Sequence, residues 1–127
     1  MIHGIGTDIA EVKRFADAIA RHGDQFAERL LAAVELADYR AAADPARFLA
    51  KRFAAKEAFG KALGTGVRAP ATMHAMWIEH DGLGKPLFAF SPALAEHLGG
   101  LGLRAHLSLS VEAAYAVAFV ILETAET

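Results

Sequence analysis

The stretch RFAAKEAFGKALGTG, from Arg52 to Gly66, has the pattern of a helix that ends at closely spaced glycines. Glu57 and Lys61 lie four residues apart within it, so their side chains share one face, while Phe59 projects from roughly the opposite face. An exposed Glu-to-Lys pair at this spacing is common and stabilises a helix by about 0.2–0.5 kcal/mol. The pair by itself therefore indicates a solvated face, and a chemical role needs evidence from elsewhere in the chain.

The N-terminal segment supplies a third charged group. Met1 to Val12 is an apolar run with spaced glycines and β-branched residues, which predicts a short strand with Asp8 at its tip. Asp8 is followed three residues later by Glu11, so it also fits the N-cap of a helix that continues through Phe15. The two roles are compatible, because one carboxylate oxygen can cap a helix while the other binds a metal ion.

Composition limits the class of protein. A chain of 127 residues predicts a single domain, 1–127, and its 54% of hydrophobic residues is enough to bury a subunit interface as well as a core. The absence of cysteine excludes a disulfide framework and a thiolate metal site. A net charge near −2 does not indicate nucleic-acid binding. No signal peptide opens the chain and no apolar run could span a bilayer, so we expect a cytoplasmic protein without a membrane partner.

Basic residues concentrate in the first half of the chain. Lys13, Arg14 and Arg21 fall on the first predicted helix, and five more basic side chains follow by position 52: Arg29, Arg40, Arg47, Lys51 and Arg52. Such charges usually solvate helix faces. An acidic protein partner would also find complementary charge here, and the sequence leaves both interpretations open.

The remaining pattern predicts helices and strands in mixed order. After the first strand and helix, we expect a helical region at about 25–43, the motif helix from Pro45 to Gly64, strands at 76–80 and 87–90, a helix that follows Ser91 and ends at Gly99-Gly100, and strands at 104–110 and 115–122. Strict alternation in the strand at 104–110 places His106 and Ser108 on one face. The lack of regular βαβ alternation argues for the α+β class.

Three residues of the motif helix do not fit a simple amphipathic pattern. Arg52 and Lys56 project into the arc that the aromatic side chains occupy, so either their stems extend along apolar surface to reach water or this edge faces a ligand or a neighbour. Gly60 lies inside the helix, where glycine costs about 1 kcal/mol relative to alanine. A close approach of backbone or ligand would explain it, and so would chance.

Three motifs occur in order along the chain: GIGTDIAEVKRF from Gly4 to Phe15, RFAAKEAFGKALGTG, and HLSLS from His106 to Ser110, which Tyr115-Ala116 follows. In this order and spacing they resemble the holo-[acyl-carrier-protein] synthases, the short bacterial 4′-phosphopantetheinyl transferases. The resemblance covers essentially the whole chain. It implies an α+β fold in which a long motif helix packs on a small antiparallel sheet, and a homotrimer whose sheets assemble around the trimer axis with active sites between protomers.

The resemblance implies transfer of 4′-phosphopantetheine from coenzyme A to a serine hydroxyl of apo-acyl carrier protein, with release of adenosine 3′,5′-bisphosphate. Attack on a phosphorus of the donor requires neutralised phosphate charge and an acceptor for the proton of the nucleophile. Asp8 and Glu57 are accordingly expected to bind Mg²⁺, and Lys61 to contact a phosphate oxygen. Glu57, or a water bound to the metal ion, would receive the serine proton.

Further contacts follow from the same resemblance. The expected coenzyme A contacts are Lys61 together with the helix exit, a turn and one strand face: Gly64, Thr65, Gly66, Lys85, Pro86, His106 and Ser108. Arg14 occupies the position at which the family places an arginine that contacts the carrier, and Arg21 follows two turns later. Two rivals stay open: a non-catalytic module that binds a nucleotide or a protein, and a metal-dependent phosphohydrolase.

Overall fold

The computed structural model describes residues 1–125 and shows five strands and five α-helices in mixed order over that range. The strands are β1 (Ile2–Glu11), β2 (Met76–His80), β3 (Pro86–Phe90), β4 (Leu103–Glu112) and β5 (Tyr115–Thr124). The helices are α1 (Val12–His22), α2 (Asp24–Leu30), α3 (Leu36–Ala41), α4 (Pro45–Leu63) and α5 (Pro92–Gly100), with short 3-10 turns at Ala33–Glu35 and Met73–Ala75. The predicted α+β class is confirmed. No helix within residues 1–125 is long and apolar enough to cross a membrane.

Two antiparallel sheets pack on helix α4. The larger sheet has the order β1-β5-β4, so β5 is central and β1 and β4 form its edges. Its register aligns Thr7, Phe119 and Ser108 in one row across the three strands. The smaller sheet is the hairpin β2–β3, in which Met76 pairs with Phe90. The predicted small antiparallel sheet with the motif helix packed on it is confirmed.

Helix α4 lies close to β1 because the facing residues are small. Gly4 and Gly6 face the helix, and a Cβ atom on them would lie 1.8 Å from the carbonyl oxygen of Ala62 and 1.9 Å from that of Ala58, respectively. Only a residue without a side chain therefore fits at these two positions. Since side chains alternate along a strand, Asp8 faces the helix as well.

Aromatic side chains pack α4 against β3 and against α1. Phe59 packs against Phe88 and Phe90 of β3, with ring centroids 5.2 and 5.4 Å apart. Phe53 packs against Phe15 of α1 at 5.4 Å. Helix α1 is thus attached to α4 by its apolar side, which leaves its charged side exposed.

The ends of α4 agree with the sequence pattern. The Asp44 side chain caps the first turn by accepting a hydrogen bond from the backbone N–H of Arg47 at 3.1 Å, and the proline after Asp44 is the first helical residue. Gly64 follows the last turn with a left-handed φ of 92°. A close backbone approach explains Gly60, because a Cβ atom there would lie 2.7 Å from the carbonyl carbon of Gly66.

The two irregular basic residues of α4 belong to a buried ionic cluster. The fully buried Lys56 donates hydrogen bonds to the carboxylate of Glu35 at 2.7 Å and to the carbonyl oxygens of Leu30 and Met73 at 2.7 and 2.8 Å. Arg52 Nε lies 3.3 Å from the other oxygen of Glu35, an ion pair by distance although its N–H makes no hydrogen bond. Arg52 and Lys56 therefore lie within the apolar arc of α4 because both face Glu35 in the 3-10 turn Ala33–Glu35.

The predicted place of Asp8 at a strand tip is wrong. Strand β1 continues three residues further to Glu11, and Asp8 lies opposite Ala118 within the β1–β5 ladder. Asp8 does not cap the following helix either, since Glu11 is at the N-cap position of α1 and makes no side-chain capping hydrogen bond. The ladder with β5 extends the strand past the acid, which the local sequence does not reveal.

The helical region expected at 25–43 is divided. Helix α2 ends at Leu30, whose carbonyl oxygen accepts a hydrogen bond from Lys56. A 3-10 turn and the short helix α3 follow. The break has a physical reason, because it turns Glu35 into the interior, where its carboxylate meets the basic groups of α4 and accepts hydrogen bonds from two backbone N–H groups.

Candidate active site

Asp8 and Lys61 meet where β1 faces α4. The ammonium group of Lys61 donates hydrogen bonds to Asp8 Oδ1 at 3.1 Å and to the carbonyl oxygen of Thr7 at 2.9 Å. The Lys61 side chain is 53% exposed and that of Asp8 is 16% exposed, so the pair lies at the protein surface. Within the described residues, the ion pair of Lys61 is thus with the strand rather than with Glu57 on its own helix.

Glu57 lies beside this pair and forms no hydrogen bond or ion pair with residues 1–125 through its carboxylate. Burial raises the pKa of the Glu57 carboxyl above its usual range, and the negative charge of Asp8 raises it further, while the charge of Lys61 opposes both effects. Two carboxylates and one ammonium group therefore share one electrostatic environment. When all three groups are ionised, one negative charge is in excess.

The donor set fits a divalent ion that prefers hard oxygen ligands. Asp8 Oδ2 is buried without a hydrogen-bond partner, which is costly for a carboxylate oxygen unless a cation neutralises it. Glu57 adds a second unpaired carboxylate. Within residues 1–125, no group of three or more His, Cys, Asp or Glu side chains could hold a metal ion. An ion at this site would therefore have only the carboxylates of Asp8 and Glu57 as side-chain ligands from the described residues. Mg²⁺ suits such a site, because it takes its other ligands from water and substrate phosphates.

A second group of predicted residues borders a cavity on the outer face of the larger sheet. Lys85, His106 and Ser108 line this cavity, whose volume is about 190 Å³, and Phe119 contributes an aromatic wall. Pro86 follows Lys85 as the first residue of β3. The cavity combines an ammonium group, an imidazole, a hydroxyl and apolar surface, a mixture that suits a phosphorylated ligand with an aromatic base.

Glu123 holds the imidazole at the edge of this cavity. Its Oε1 lies 2.7 Å from His106 Nε2 and accepts a hydrogen bond from Arg104 at 2.8 Å. The hydrogen bonds from Arg104 and His106 lower the pKa of Glu123 to about 2. A ligand that approaches His106 therefore meets a ring whose orientation Glu123 already sets.

The two groups of residues do not form one site within a single chain. Asp8 faces α4 from β1, whereas His106 and Ser108 lie on the outer face of β4. Strands β1 and β4 are the two edges of the sheet and are separated by β5. A ligand that contacts both groups must therefore bridge two copies of the chain or extend around the sheet.

The glycine-rich exit of α4 begins three residues after Lys61. The Thr65 hydroxyl donates a hydrogen bond to the carbonyl oxygen of Gly66 at 2.9 Å, and Arg68 Nε donates to the carbonyl oxygen of Thr65 at 3.0 Å. A Cβ atom on Gly64 or Gly66 would meet no atom within 4 Å, so the backbone here is open. The exit therefore leaves room for a close approach by a ligand near the end of α4.

Arg14 and Arg21 are both exposed on α1. They are seven residues apart, which places them on one face two turns apart. Neither forms an ion pair with a described residue, whereas their neighbour Lys13 pairs with Asp17 at 4.0 Å. The face presents positive charge that is available to an acidic partner.

Sequence reasoning missed four residues that shape these sites or the helix behind them. Gly4 and Gly6 set the distance between β1 and α4, and their signal was available, because glycines two residues apart on a strand share one face. Glu35 organises the buried cluster behind α4, and a lone acid in an apolar segment gives only a weak signal. Glu123 contacts His106 across strands, which no local pattern reveals.

Comparison with known proteins assigns the family. Residues 4–120 match the sequence model of the 4′-phosphopantetheinyl transferase superfamily. The chain belongs to this superfamily. The matched range includes Asp8, Glu57 and Lys61, and the strand that carries His106 and Ser108.

Relatives agree with this assignment. A holo-[acyl-carrier-protein] synthase from Azoarcus sp. (strain BH72) is 59% identical over 124 residues, covering 98% of this chain and 99% of the relative. The crystal structure of holo-[acyl-carrier-protein] synthase from Neisseria meningitidis matches with a TM-score of 0.94 and 46% identity, over 98% of this chain and 100% of that chain. A structure of the Bacillus anthracis str. Ames protein in complex with CoA (3′,5′-ADP) matches with a TM-score of 0.82 and 35% identity, over 98% and 99%. The family and fold that the motifs predict are confirmed.

Proposed function

We propose that this chain transfers the 4′-phosphopantetheine group from coenzyme A to a serine of apo-acyl carrier protein. The observation that carries the proposal is the constellation of Asp8, Glu57 and Lys61 at the β1–α4 contact, in a chain whose relatives are holo-[acyl-carrier-protein] synthases. The serine oxygen forms a bond to the phosphorus that carries pantetheine. The bond from that phosphorus to the bridging oxygen breaks, and adenosine 3′,5′-bisphosphate leaves.

Lys61 orients the donor in this reaction. In the ligand-free protein its ammonium group contacts Thr7 and Asp8, and its exposed head can reach a phosphate oxygen of the donor. A compact ammonium neutralises phosphate charge without the fixed two-point geometry of a guanidinium. The open glycine-rich exit lets the donor come close to the end of α4.

Glu57 accepts the proton of the attacking serine. Its pKa is raised, first by burial and then by the charge of Asp8, so its carboxylate is a stronger base than an ordinary surface glutamate. Asp8 and Glu57 would hold Mg²⁺, which when bound supplies positive charge to the phosphate oxygens. The buried and unpartnered Oδ2 of Asp8 supports this assignment. The carrier serine attacks directly, so the chain needs no nucleophile of its own.

We propose a homotrimer, the assembly that the family resemblance implies. The outer face of the larger sheet exposes apolar side chains, among them Ile5, Ile9, Tyr115 and Phe119, each between 42% and 64% exposed. Such a face indicates contact with another protein surface. If copies of the chain contact one another through this face, the cavity beside His106 in one copy can complete the Asp8 site of a neighbour. The two groups of residues do not form one site within a single chain. Sedimentation equilibrium should give three times the monomer mass.

The cytoplasmic location stays a prediction.

Mass spectrometry tests the reaction directly. The protein is mixed with coenzyme A, Mg²⁺ and apo-acyl carrier protein, and the masses of the carrier and of the nucleotide are followed. Addition of phosphopantetheine to the carrier supports the proposal, and a carrier whose acceptor serine is replaced by alanine is the control. Hydrolysed coenzyme A with an unchanged carrier would indicate a phosphohydrolase instead. If the masses of both the carrier and the nucleotide stay unchanged, the result would indicate a non-catalytic binding module.

A further inference from the structure

In the proposed reaction Lys61 can bind either acceptors of the protein itself or a phosphate oxygen of the donor. Its ammonium group lies 3.1 Å from Asp8 Oδ1 and 2.9 Å from the carbonyl oxygen of Thr7. An ammonium group has three hydrogens, so one has no acceptor among the described residues. More than half of the side chain is exposed, so the head can move without disturbing the packing of α4.

This contact neutralises the acidic site only in part. Lys61 binds Oδ1 of Asp8, while Oδ2 is buried without a partner. Glu57 adds a second carboxylate, which forms no ion pair with the described residues. A single ammonium group therefore provides one positive charge for two carboxylates. A divalent cation would neutralise both negative charges.

A divalent ion bound by Asp8 would compete with Lys61 for the same carboxylate. Mg²⁺ approaches its oxygen ligands to about 2.1 Å and requires nearly octahedral geometry. An ammonium nitrogen 3.1 Å from Asp8 Oδ1 occupies part of the space around that oxygen and adds a repelling positive charge. The phosphate oxygens of a bound donor offer the ammonium group another acceptor, so donor binding can release Asp8.

We propose that Lys61 is a placeholder cation, which pairs with Asp8 in the ligand-free site and moves to a phosphate oxygen when the donor binds. The inference rests on the proposed function and adds a coupling to it. Movement of Lys61 frees Oδ1 of Asp8, so the donor and the divalent ion bind cooperatively. By linkage, the ion must strengthen donor binding by the same factor. The ligand-free protein accordingly binds divalent ions weakly.

Direct Mn²⁺ binding tests the placeholder cation, with free Mn²⁺ measured by electron paramagnetic resonance. Without coenzyme A, Lys61→Met should bind Mn²⁺ about tenfold more tightly than wild type, a change of about 1.4 kcal/mol. With coenzyme A, this advantage should disappear or reverse, because the wild-type ammonium group then lies on phosphate. Equal or weaker binding by Lys61→Met without coenzyme A overturns the proposal, and so does the absence of binding by both proteins.

Two controls separate contact with Asp8 from simple loss of a positive charge. Lys51→Met removes a lysine from the same helix at about 15 Å along its axis, and its Mn²⁺ affinity should stay close to that of wild type. In an Asp8→Asn background, Lys61→Met should no longer tighten Mn²⁺ binding, because the charged oxygen for which the two cations compete is gone. Tightening that persists in this background is a long-range charge effect and overturns the proposal.

These measurements do not depend on turnover. If wild type modifies the carrier but Lys61→Met does not tighten Mn²⁺ binding, the placeholder role alone fails. If wild type modifies no carrier, the proposed function fails, and the Mn²⁺ measurements still decide between a placeholder and a fixed ion pair.

Discussion

Replacing Gly6 with alanine tests how β1 and α4 build the site. A Cβ atom on Gly6 would lie 1.9 Å from the carbonyl oxygen of Ala58 and 2.8 Å from the backbone nitrogen of Ala62. Ordinary contact begins near 3.4 Å, so the helix would have to move by about 1.5 Å (3.4 minus 1.9). Both obstructing atoms belong to the backbone of α4, which Phe59 holds against the smaller sheet from the other side. No side-chain rotation can relieve the overlap.

The structure sets the magnitude of this effect. Overpacking a core costs about 1–3 kcal/mol, and rigid backbone neighbours place Gly6→Ala near 3 kcal/mol. For a domain of this size, that loss of stability lowers Tm by roughly 10 °C. The same displacement separates Asp8 on the strand from Lys61 on the helix. A shift of about 1 Å in a catalytic constellation can reduce the rate by roughly a hundredfold, which we expect for kcat of the folded variant.

Calorimetry measures Tm, and the carrier-modification assay measures kcat at a temperature where circular dichroism shows the variant to be folded. Gly82→Ala is the matched control, because a Cβ atom at this turn position would meet no atom within 4 Å. Its Tm and turnover should equal those of wild type. A Gly6→Ala protein with a Tm within about 2 °C of wild type and unchanged turnover would refute the packing argument.

Three further predictions test other parts of the protein. Asp8→Ala and Glu57→Ala should each abolish most transfer without unfolding the protein, and their effects should not add, since we propose that both bind one metal ion. Near wild-type turnover in either variant at saturating Mg²⁺ would remove the metal assignment. Arg14→Glu should raise KM for the carrier and not for coenzyme A, with a difference that shrinks in added salt, because exposed charges are screened. A selective change in KM for coenzyme A would place the docking surface elsewhere. Glu35→Gln should lower the free energy of unfolding in urea by about 3–5 kcal/mol, because it leaves a buried ammonium group uncompensated. The exposed Glu79→Gln is its control, and equal effects would contradict the role of the cluster.

The ends of α4 are predictable from the sequence because their signals are local. Asp44 and the proline after it begin the helix, and Gly64 ends it, through contacts between residues that are neighbours in the chain. The alternation of β4 likewise predicts the shared face of His106 and Ser108. Each of these features depends on a few consecutive residues, whatever the rest of the fold does.

The features that the sequence does not predict depend on distant segments. The length of β1 follows from its ladder with β5, which lies more than a hundred residues further along the chain, so Asp8 is inside a strand rather than at its tip. The end of α2 depends on a hydrogen bond from Lys56 to Leu30, across 26 residues. The carboxylates of Asp8 and Glu57 are a mixed case: the spacing of Glu57 from Lys61 is local, but the approach of Glu57 to Asp8 requires two glycines that face α4.

Lys56 and Lys61 show why residue type and helical position are not enough to assign a role. Both are lysines on α4, five residues apart, and both pair with a carboxylate. All three hydrogens of the buried Lys56 ammonium group have protein acceptors, so none is left for a ligand. The Lys61 ammonium group has two acceptors and an exposed head, so a phosphate can recruit it. The number of acceptors that the fold provides, rather than the lysine itself, separates a structural group from one that is available for chemistry.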